Sequence, residues 1–546
     1  MSIKSGFSLS RTQPRHINLL DKYLQSAIIA QIKYAFYADN SHVSIQAIYK
    51  DKTRMFDLHL HHYRGFKNQT LKFGKINILI GENSGGKSSI FKFLLALKQG
   101  FESKRNNLTL FGNETDLGTY KDIIANHSIT KRLNFGFTTD KDYSAFFART
   151  FSEDSRLLAM PRFRLPLRPP SRTTSGKSNA INKHREQFDR MVRKNERTFK
   201  HFLGTPVTAH YSLTRNLTSH GEISTHFTND VLGELSISFS DTTLDLEDSG
   251  LGKIPDSCEL HYNSRVRDQW IVLENIKFYK DSFLTMVDSD SLKGAIDAAG
   301  LSAEKKLFGE IAYFLLAQNY LQEELKTLEY VNPILSQPAE RIYVTRDQRV
   351  IGNLSDITTI VNFFTPPSRK KLLVQLSETL QKFGIVDELY LKKQDYTTEL
   401  RVKLNGVDSN IKDVGYGVSL QIPIFAQALF GSRLPTGQIL LIEQPEIHLH
   451  PKLQAKFLEA LLELTGDQPI FIETHSEHIV RMLQLMVKEQ RNGLTADDVS
   501  IYFFEKKNQR QVATRHAINP SNGRLEPPFP RGFYDVSYDL AMNLLK

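Results

Sequence analysis

"GENSGGKSS", Gly81 to Ser89, decides how this 546-residue chain is read. It satisfies G-x-x-x-x-G-K-[ST], with Gly81, Gly86, Lys87 and Ser88 in the fixed positions. "INILI", a short apolar strand, runs into it, and "IFKFLLALKQ" follows with apolar residues at helical period. Strand, glycine loop and helix in that order let backbone N–H groups turn inward around phosphates, with the helix N-terminus adding a favourable dipole. Lys87 is placed to reach the β- and γ-phosphates, and the Ser88 hydroxyl to ligate Mg²⁺. Asn83, Ser84, Gly85 and Ser89 complete the cradle. A chance glycine turn before a helix is the competing reading, but it needs all four fixed residues and both flanks to coincide. ATP with Mg²⁺ is the expected cofactor pair.

Further along, "LLIEQPEIHLHP" (440–451) is an apolar run that ends in an acid. Glu443 is the expected partner of Mg²⁺ beside Ser88. The next residue is Gln444, an amide that can orient water but cannot accept its proton as a carboxylate would. Two options stay open: Glu446, beyond Pro445, serves as base, or hydrolysis is slow and the ATP-bound state is long-lived. His448 and His450 alternate, yet no third or fourth ligand lies nearby, so they read as local hydrogen-bonding groups. In "PIFIETHS", His475 follows another buried strand and is a candidate γ-phosphate sensor, since parallel strands of such sheets end on the ligand side.

The remainder sorts into segments. Residues 1–50 read as a helical extension, with Leu19, Leu20, Tyr23, Leu24, Ile28 and Ile32 at helical spacing. Residues 51–150 hold the first half of the ATPase lobe, 151–400 an insertion, 401–515 the second half, and 516–546 a tail. Within the insertion, 213–268 reads as polar and turn-rich, and "EKKLFGEIAYFLLAQNYLQEELKTLEY" as a helical block. The net charge is +10, and 162–200 carries twelve Lys/Arg against three Asp/Glu within a Pro-, Arg- and Ser-rich stretch. That arm suits a nucleic-acid backbone, and equally a solvated loop or an acidic partner protein. The single cysteine, Cys258, excludes intramolecular disulfides and cysteine-based zinc sites. No window approaches the ~18 uncharged apolar residues of a membrane helix. The N-terminus lacks a signal-peptide pattern, so a cytoplasmic protein without membrane contact is expected.

With these motifs placed, the chain resembles ABC-type ATPases of the SMC/RecF/OLD-like group over about 55–150 and 400–515. "DVGYGVSLQIPI" (413–424) lies where that group keeps its signature loop. "DLGTYKDII" (116–124) and "FPRGFYD" (529–535) are similar to pieces of AAA-labelled ATPases of bacterial anti-phage defence cassettes, among them the Septu-type (PtuA) ATPases and their retron-associated versions. The resemblance implies an α/β fold: an ABC-type P-loop ATPase head with a large middle insertion and the N-terminal helical extension. It also implies that Gly415, Gly417 and Ser419 contact the nucleotide of a second copy, in a homodimer or higher oligomer that sandwiches ATP. It implies regulation of a separate nuclease subunit of HNH type, with retron RNA or DNA as a further contact. The chain departs from OLD-type relatives in having no D-x-D or HNH-like cluster near its C-terminus; "DSD" at 288–290 lies outside a strand pattern. Two other readings compete: a RecF-like DNA-repair clamp, and a scaffold that binds ATP structurally.

Overall fold

The computed structural model describes residues 54–139, 205–332 and 354–533 apart from short loop segments, together with Tyr343–Val344 and part of 540–545. The expected N-terminal extension and the basic arm at 162–200 lie outside the described residues.

The chain enters through a hairpin of β1 (Arg54–Tyr63) and β2 (Phe66–Gly74), then β3 (Ile76–Gly81), which feeds the glycine loop and α1 (Lys87–Glu102). The hairpin sheet is extended antiparallel by β4 (Leu133–Thr139), β5 (Val207–Arg215), β6 (His220–Asn229), β7 (Gly233–Thr243), β8 (Ser257–Ser264), β9 (Gln269–Tyr279) and β10 (Met286–Val287). Its order is β10-β9-β8-β7-β6-β5-β4-β1-β2. The expectation of a turn-rich stretch at 213–268 is therefore corrected. Most of its serines, threonines and histidines, such as Ser224, His226, Ser236 and His261, are the outward half of period-2 strands, whose inward half, with Thr225, Phe227, Leu235, Ile237, Leu260 and Tyr262, is buried.

α2 (Lys305–Lys326) matches the expected helical block, but its last residues turn into β11 (Leu328–Val331). β12 (Tyr343–Val344), β13 (Glu388–Gln394), β14 (Thr397–Leu404) and β15 (Val407–Asn410) form a small antiparallel sheet. α3 (Tyr416–Ser419), α4 (Gln421–Gly431), β16 (Ile439–Glu443), α5 (Pro451–Thr465), β17 (Ile470–Glu473), α6 (Glu477–Lys488), β18 (Val499–Lys507), β19 (Arg510–Ile518) and β20 (Leu525–Glu526) complete the described elements used below.

A second, mixed sheet runs β11-β16-β17-β3-β18-β19-β20. It positions the site. β3 lies parallel between β17 and β18, with Ile76 opposite both Ile470 and Val499. β3, β16 and β17 are buried on both faces, which is why "INILI", "ILLI" and "IFI" are apolar without alternation. Leu79, Leu441, Phe471 and Tyr502 face one core, shared with the large sheet, α1 and α2. Ile78, Ile80, Leu440, Ile442 and Ile472 face the other, shared with α4, α5 and α6. β11, from the stretch read as insertion, pairs with β16, and β19 runs on past residue 515, so the mixed sheet draws on more of the chain than the two expected halves.

Two polar features stand out in this frame. Glu310 on α2 is buried and takes an ion pair from Arg267 at 3.2 Å and a hydrogen bond from the Tyr262 hydroxyl at 3.0 Å, tying α2 to the β8–β9 turn. On the outer face of the large sheet, register aligns His59, Gly136, His210, His226, Ser236 and His261 in one lateral row. Gly136 makes room: a Cβ there would meet His210 Nδ1 at 2.5 Å. Among the described residues no helix is long and apolar enough to cross a membrane.

Candidate functional site

The site is built on the upper ends of β3, β16 and β17. Gly81 has φ +139, and a Cβ there would lie 2.0 Å from the carbonyl oxygen of Phe504 on β18. That carbonyl accepts the Glu82 N–H at 2.9 Å. Gly86, at φ +107, would put a Cβ 2.7 Å from the ring of Phe66. Both positions require glycine, by left-handed backbone and by lack of space. Ser84 also sits in the left-handed region, with φ 60, and its carbonyl accepts from Gln511 Nε2 at 3.2 Å. Glu82, Asn83 and Ser84 are exposed at the loop tip, whereas Gly85, Gly86, Lys87 and Ser89 are buried. Ser89 is gripped from below by the Tyr63 hydroxyl on its carbonyl, 3.0 Å, and by Arg64 on its Oγ, 3.1 Å. Lys87 folds back into the loop, donating from Nζ to the carbonyls of Glu82 at 2.8 Å and Gly81 at 3.2 Å. Burial lowers its pKa, while Glu473, Glu446, Glu443 and Glu82 oppose that shift.

Three carboxylates face this lysine. Glu443 ends β16, where Oε2 accepts from the Tyr330 hydroxyl and from Asn332 Nδ2 at 3.2 Å. Burial, then the bond to Glu443, raises the Tyr330 pKa. Glu473 ends β17 in register with Glu443. Its Oε1 accepts from the Ser88 hydroxyl at 2.7 Å, so in this structure Ser88 reaches Glu473. Glu473 is 2% exposed, and its Oε2 is buried with no hydrogen-bond partner. Burial pushes its pKa up to about 7, against the pull of Ser88.

Glu446 is the third. Its Oε1 accepts the His475 N–H at 2.6 Å and its Oε2 the Thr474 hydroxyl at 2.7 Å. Burial raises its pKa, and those two bonds oppose the rise. This clamp fixes the 474–476 turn, whose Ser476 caps α6 by accepting from Ile479 N–H at 3.2 Å. His475 lies at the surface; partial desolvation of its ring and the nearby Lys87 charge lower its pKa. Gln444 has φ 45, an uncommon conformation for a non-glycine residue, and donates its N–H to the Glu473 carbonyl at 2.7 Å.

The signature-like loop lies against the segment that follows β16. A Cβ on Gly417 would meet the His448 carbonyl oxygen at 2.5 Å, and Gln421 Nε2 donates to the Pro445 carbonyl at 2.6 Å. A Cβ on Gly415 would meet nothing within 4 Å. Ser419 is half-buried at the end of α3. His450 caps α5 by accepting the Lys452 N–H at 3.3 Å, a local role, and the described residues hold no group of three or more metal-ligating side chains of His/Cys/Asp/Glu type.

The structure thus gathers Lys87, Ser88, Glu443, Gln444, Glu446 and His475 at one sheet end. Sequence reasoning missed Glu473, Tyr330 and Asn332. Glu473 carried the same signal as Glu443, an acid closing an apolar strand, but His475 two residues later drew the attention. Tyr330 was hidden at the end of a block read as helix, and Asn332 lies two residues past it.

A family described as "AAA ATPase domain" matches residues 55–480, and one described as "Protein of unknown function (DUF3696)" matches 494–544. No curated protein sequence matches. Similar solved structures include an SMC head bound to the C-terminal winged-helix domain of ScpA, at 10% identity and TM-score 0.36, covering 85% of this chain and 98% of that one. Another is the SMC head domain from Thermotoga maritima, at 10% identity and TM-score 0.30, covering 84% and 97%. A third is the Pyrococcus furiosus Smc head with an extended coiled coil bound to the C-terminal domain of ScpA, at 9% identity and TM-score 0.32, covering 90% and 100%.

Proposed function

We propose, from the premise that this chain belongs to the AAA ATPase domain family, that it binds ATP with Mg²⁺ at the Gly81–Ser89 loop and hydrolyses it slowly. The observation that carries the slow reading is the state of Glu446. Both its oxygens are engaged by Thr474 and His475, so it acts as a clamp on that turn and not as a free base. Gln444 supplies only an amide beside it.

The residues fit the cofactor. Hard oxygen donors suit Mg²⁺, and the Ser88 hydroxyl, the Glu443 carboxylate and the unpartnered Glu473 Oε2 are such donors at one sheet end. Bound there, Mg²⁺ would neutralise charge on the phosphates. Lys87 exchanges the carbonyls of Gly81 and Glu82 for phosphate oxygens, gaining a charge-assisted partner for a buried ammonium. Gln444 orients the attacking water, and His475, exposed beside Lys87, contacts the terminal phosphate.

We extend the reading to assembly and role. Two copies sandwich ATP, with Gly415, Gly417 and Ser419 of each contacting the other's nucleotide. The long-lived ATP-bound dimer gates a separate HNH-type nuclease in an anti-phage defence complex. The resemblance of "DLGTYKDII" and "FPRGFYD" to defence ATPases supports that role. The test is nucleotide titration and phosphate release in wild type and Lys87→Ala, with co-purification of a nuclease from the native host and phage challenge. Unchanged nucleotide affinity in Lys87→Ala ends the ATP assignment. Unaltered phage protection in the same variant, with no nuclease co-purifying, ends the defence role.

A further inference from the structure

Glu473 has an arrangement that Glu443 and Glu446 lack. Both oxygens of Glu446 are bonded within the protein, and Oε2 of Glu443 is held by Tyr330 and Asn332. Glu473 gives one oxygen to the hydroxyl of Ser88, 2.7 Å away, and leaves the other buried and unpartnered. A buried carboxylate oxygen without a partner is costly, and a native fold keeps one where an ion or water completes it. Its surroundings select the ion. Lys87 is the cation in range, but its Nζ is turned onto the carbonyls of Gly81 and Glu82. Glu443 adds a second carboxylate in register on the neighbouring strand. Two carboxylates from adjacent strands and a hydroxyl from the first turn of α1 form an all-oxygen set suited to a small divalent cation.

We infer that Glu473 is a protein ligand of the divalent cation at this site, completing a set with Glu443 on the adjacent strand and Ser88 at the start of α1. The inference rests on the ATP-site reading and deepens it. Gln444 carries an amide, and Glu473, one strand across, brings a carboxylate to the same sheet end. The Gln444 N–H bonded to the Glu473 carbonyl couples the two positions. Holding Ser88 by its hydroxyl proton leaves the lone pairs of that oxygen to the cation.

The test uses Mn²⁺ as probe, read by electron paramagnetic resonance on the full chain with a non-hydrolysable ATP analogue. Glu473→Gln is expected to weaken Mn²⁺ binding at least tenfold while leaving analogue affinity in EDTA within twofold. Glu473→Asp, which keeps the charge, is expected to retain most of the Mn²⁺ affinity. The Gln variant is also expected to melt higher than wild type without metal, and to gain less from added Mn²⁺. Mn²⁺ affinity within twofold of wild type in Glu473→Gln overturns the inference. Lys87→Ala separates the two levels. If that variant loses the analogue while Glu473→Gln keeps Mn²⁺, only the inference fails; if it keeps the analogue, the ATP-site reading fails and takes the inference with it.

Discussion

Lys87 donates from Nζ to the carbonyl oxygen of Glu82, 2.8 Å away, so the lysine closes the glycine loop on itself. ATP must displace that bond, and the ammonium must find phosphate oxygens in return. Lys87→Ala is accordingly expected to lower ATP affinity at least about 30-fold, the equivalent of one strong charge-assisted contact. Equilibrium titration with a fluorescent ATP analogue measures it, and circular dichroism checks that the fold is kept.

Gly81 packs against Phe504 with no space for a methyl. Gly81→Ala should push β3 away from β18 and open the loop, at a stability loss of about 1–3 kcal/mol. A denaturant melt reads the loss, and ATP binding should fall with it. A variant as stable as wild type that binds ATP normally would show that the loop adapts.

Turnover separates the two carboxamide and carboxylate positions. Gln444→Glu restores a proton acceptor and should raise steady-state phosphate release on the order of a hundredfold. Glu446→Gln should loosen the 474–476 turn and lower stability by about 1–3 kcal/mol, with little change in an already slow rate. Fast wild-type hydrolysis abolished by Glu446→Gln would instead make Glu446 the base.

The pair of Arg267 and Glu310 gives a prediction remote from the nucleotide. Arg267→Ala leaves Glu310 buried with only Tyr262 and Ser264 as partners. The expected loss is roughly 3 kcal/mol in urea unfolding. Combining it with Glu310→Gln should recover part of that loss, because the stranded charge is gone.

Acid should weaken the large sheet. Burial lowers the pKa of His59, helped by His210 and Lys72 and opposed by Asp57. Burial lowers that of His210, helped by His226. With folded values below the ordinary 6.5, the neutral rings stabilise the fold fully above that value, and the contribution is lost as pH falls through the folded values. Thermal midpoints followed between about pH 5 and 8 should drop on the acid side. His210→Gln should flatten the drop; an unaltered pH profile in that variant refutes the assignment.

Local motifs made much of the site legible. The glycine loop needs eight consecutive residues, Gly81 to Ser88, and its strand and helix flanks are apolar in the periods that their burial demands. The same logic found the acid ending β16. It did not find that Ser88 reaches Glu473, because strand adjacency is a tertiary fact: β17 lies beside β3, and nothing within "PIFIETHS" says so. The strands after residue 205 were obscured for another reason. A half-buried sheet with serines, threonines and histidines outward has the polarity of loops, and only its alternation with Phe227, Leu235, Ile237 and Leu260 distinguishes it.

The place of β3 between β17 and β18 also bears on how the chain comes into being. The strand that carries the phosphate loop is made early, yet both neighbours lie about four hundred residues downstream. During synthesis Ile76, Ile78 and Ile80 stay unpaired until about four hundred further residues have emerged. Contacts of such long sequence separation fold slowly and leave apolar strands open to aggregation or chaperone capture. Translation cut short before β18 therefore yields a chain that carries the whole glycine-loop motif and no nucleotide site.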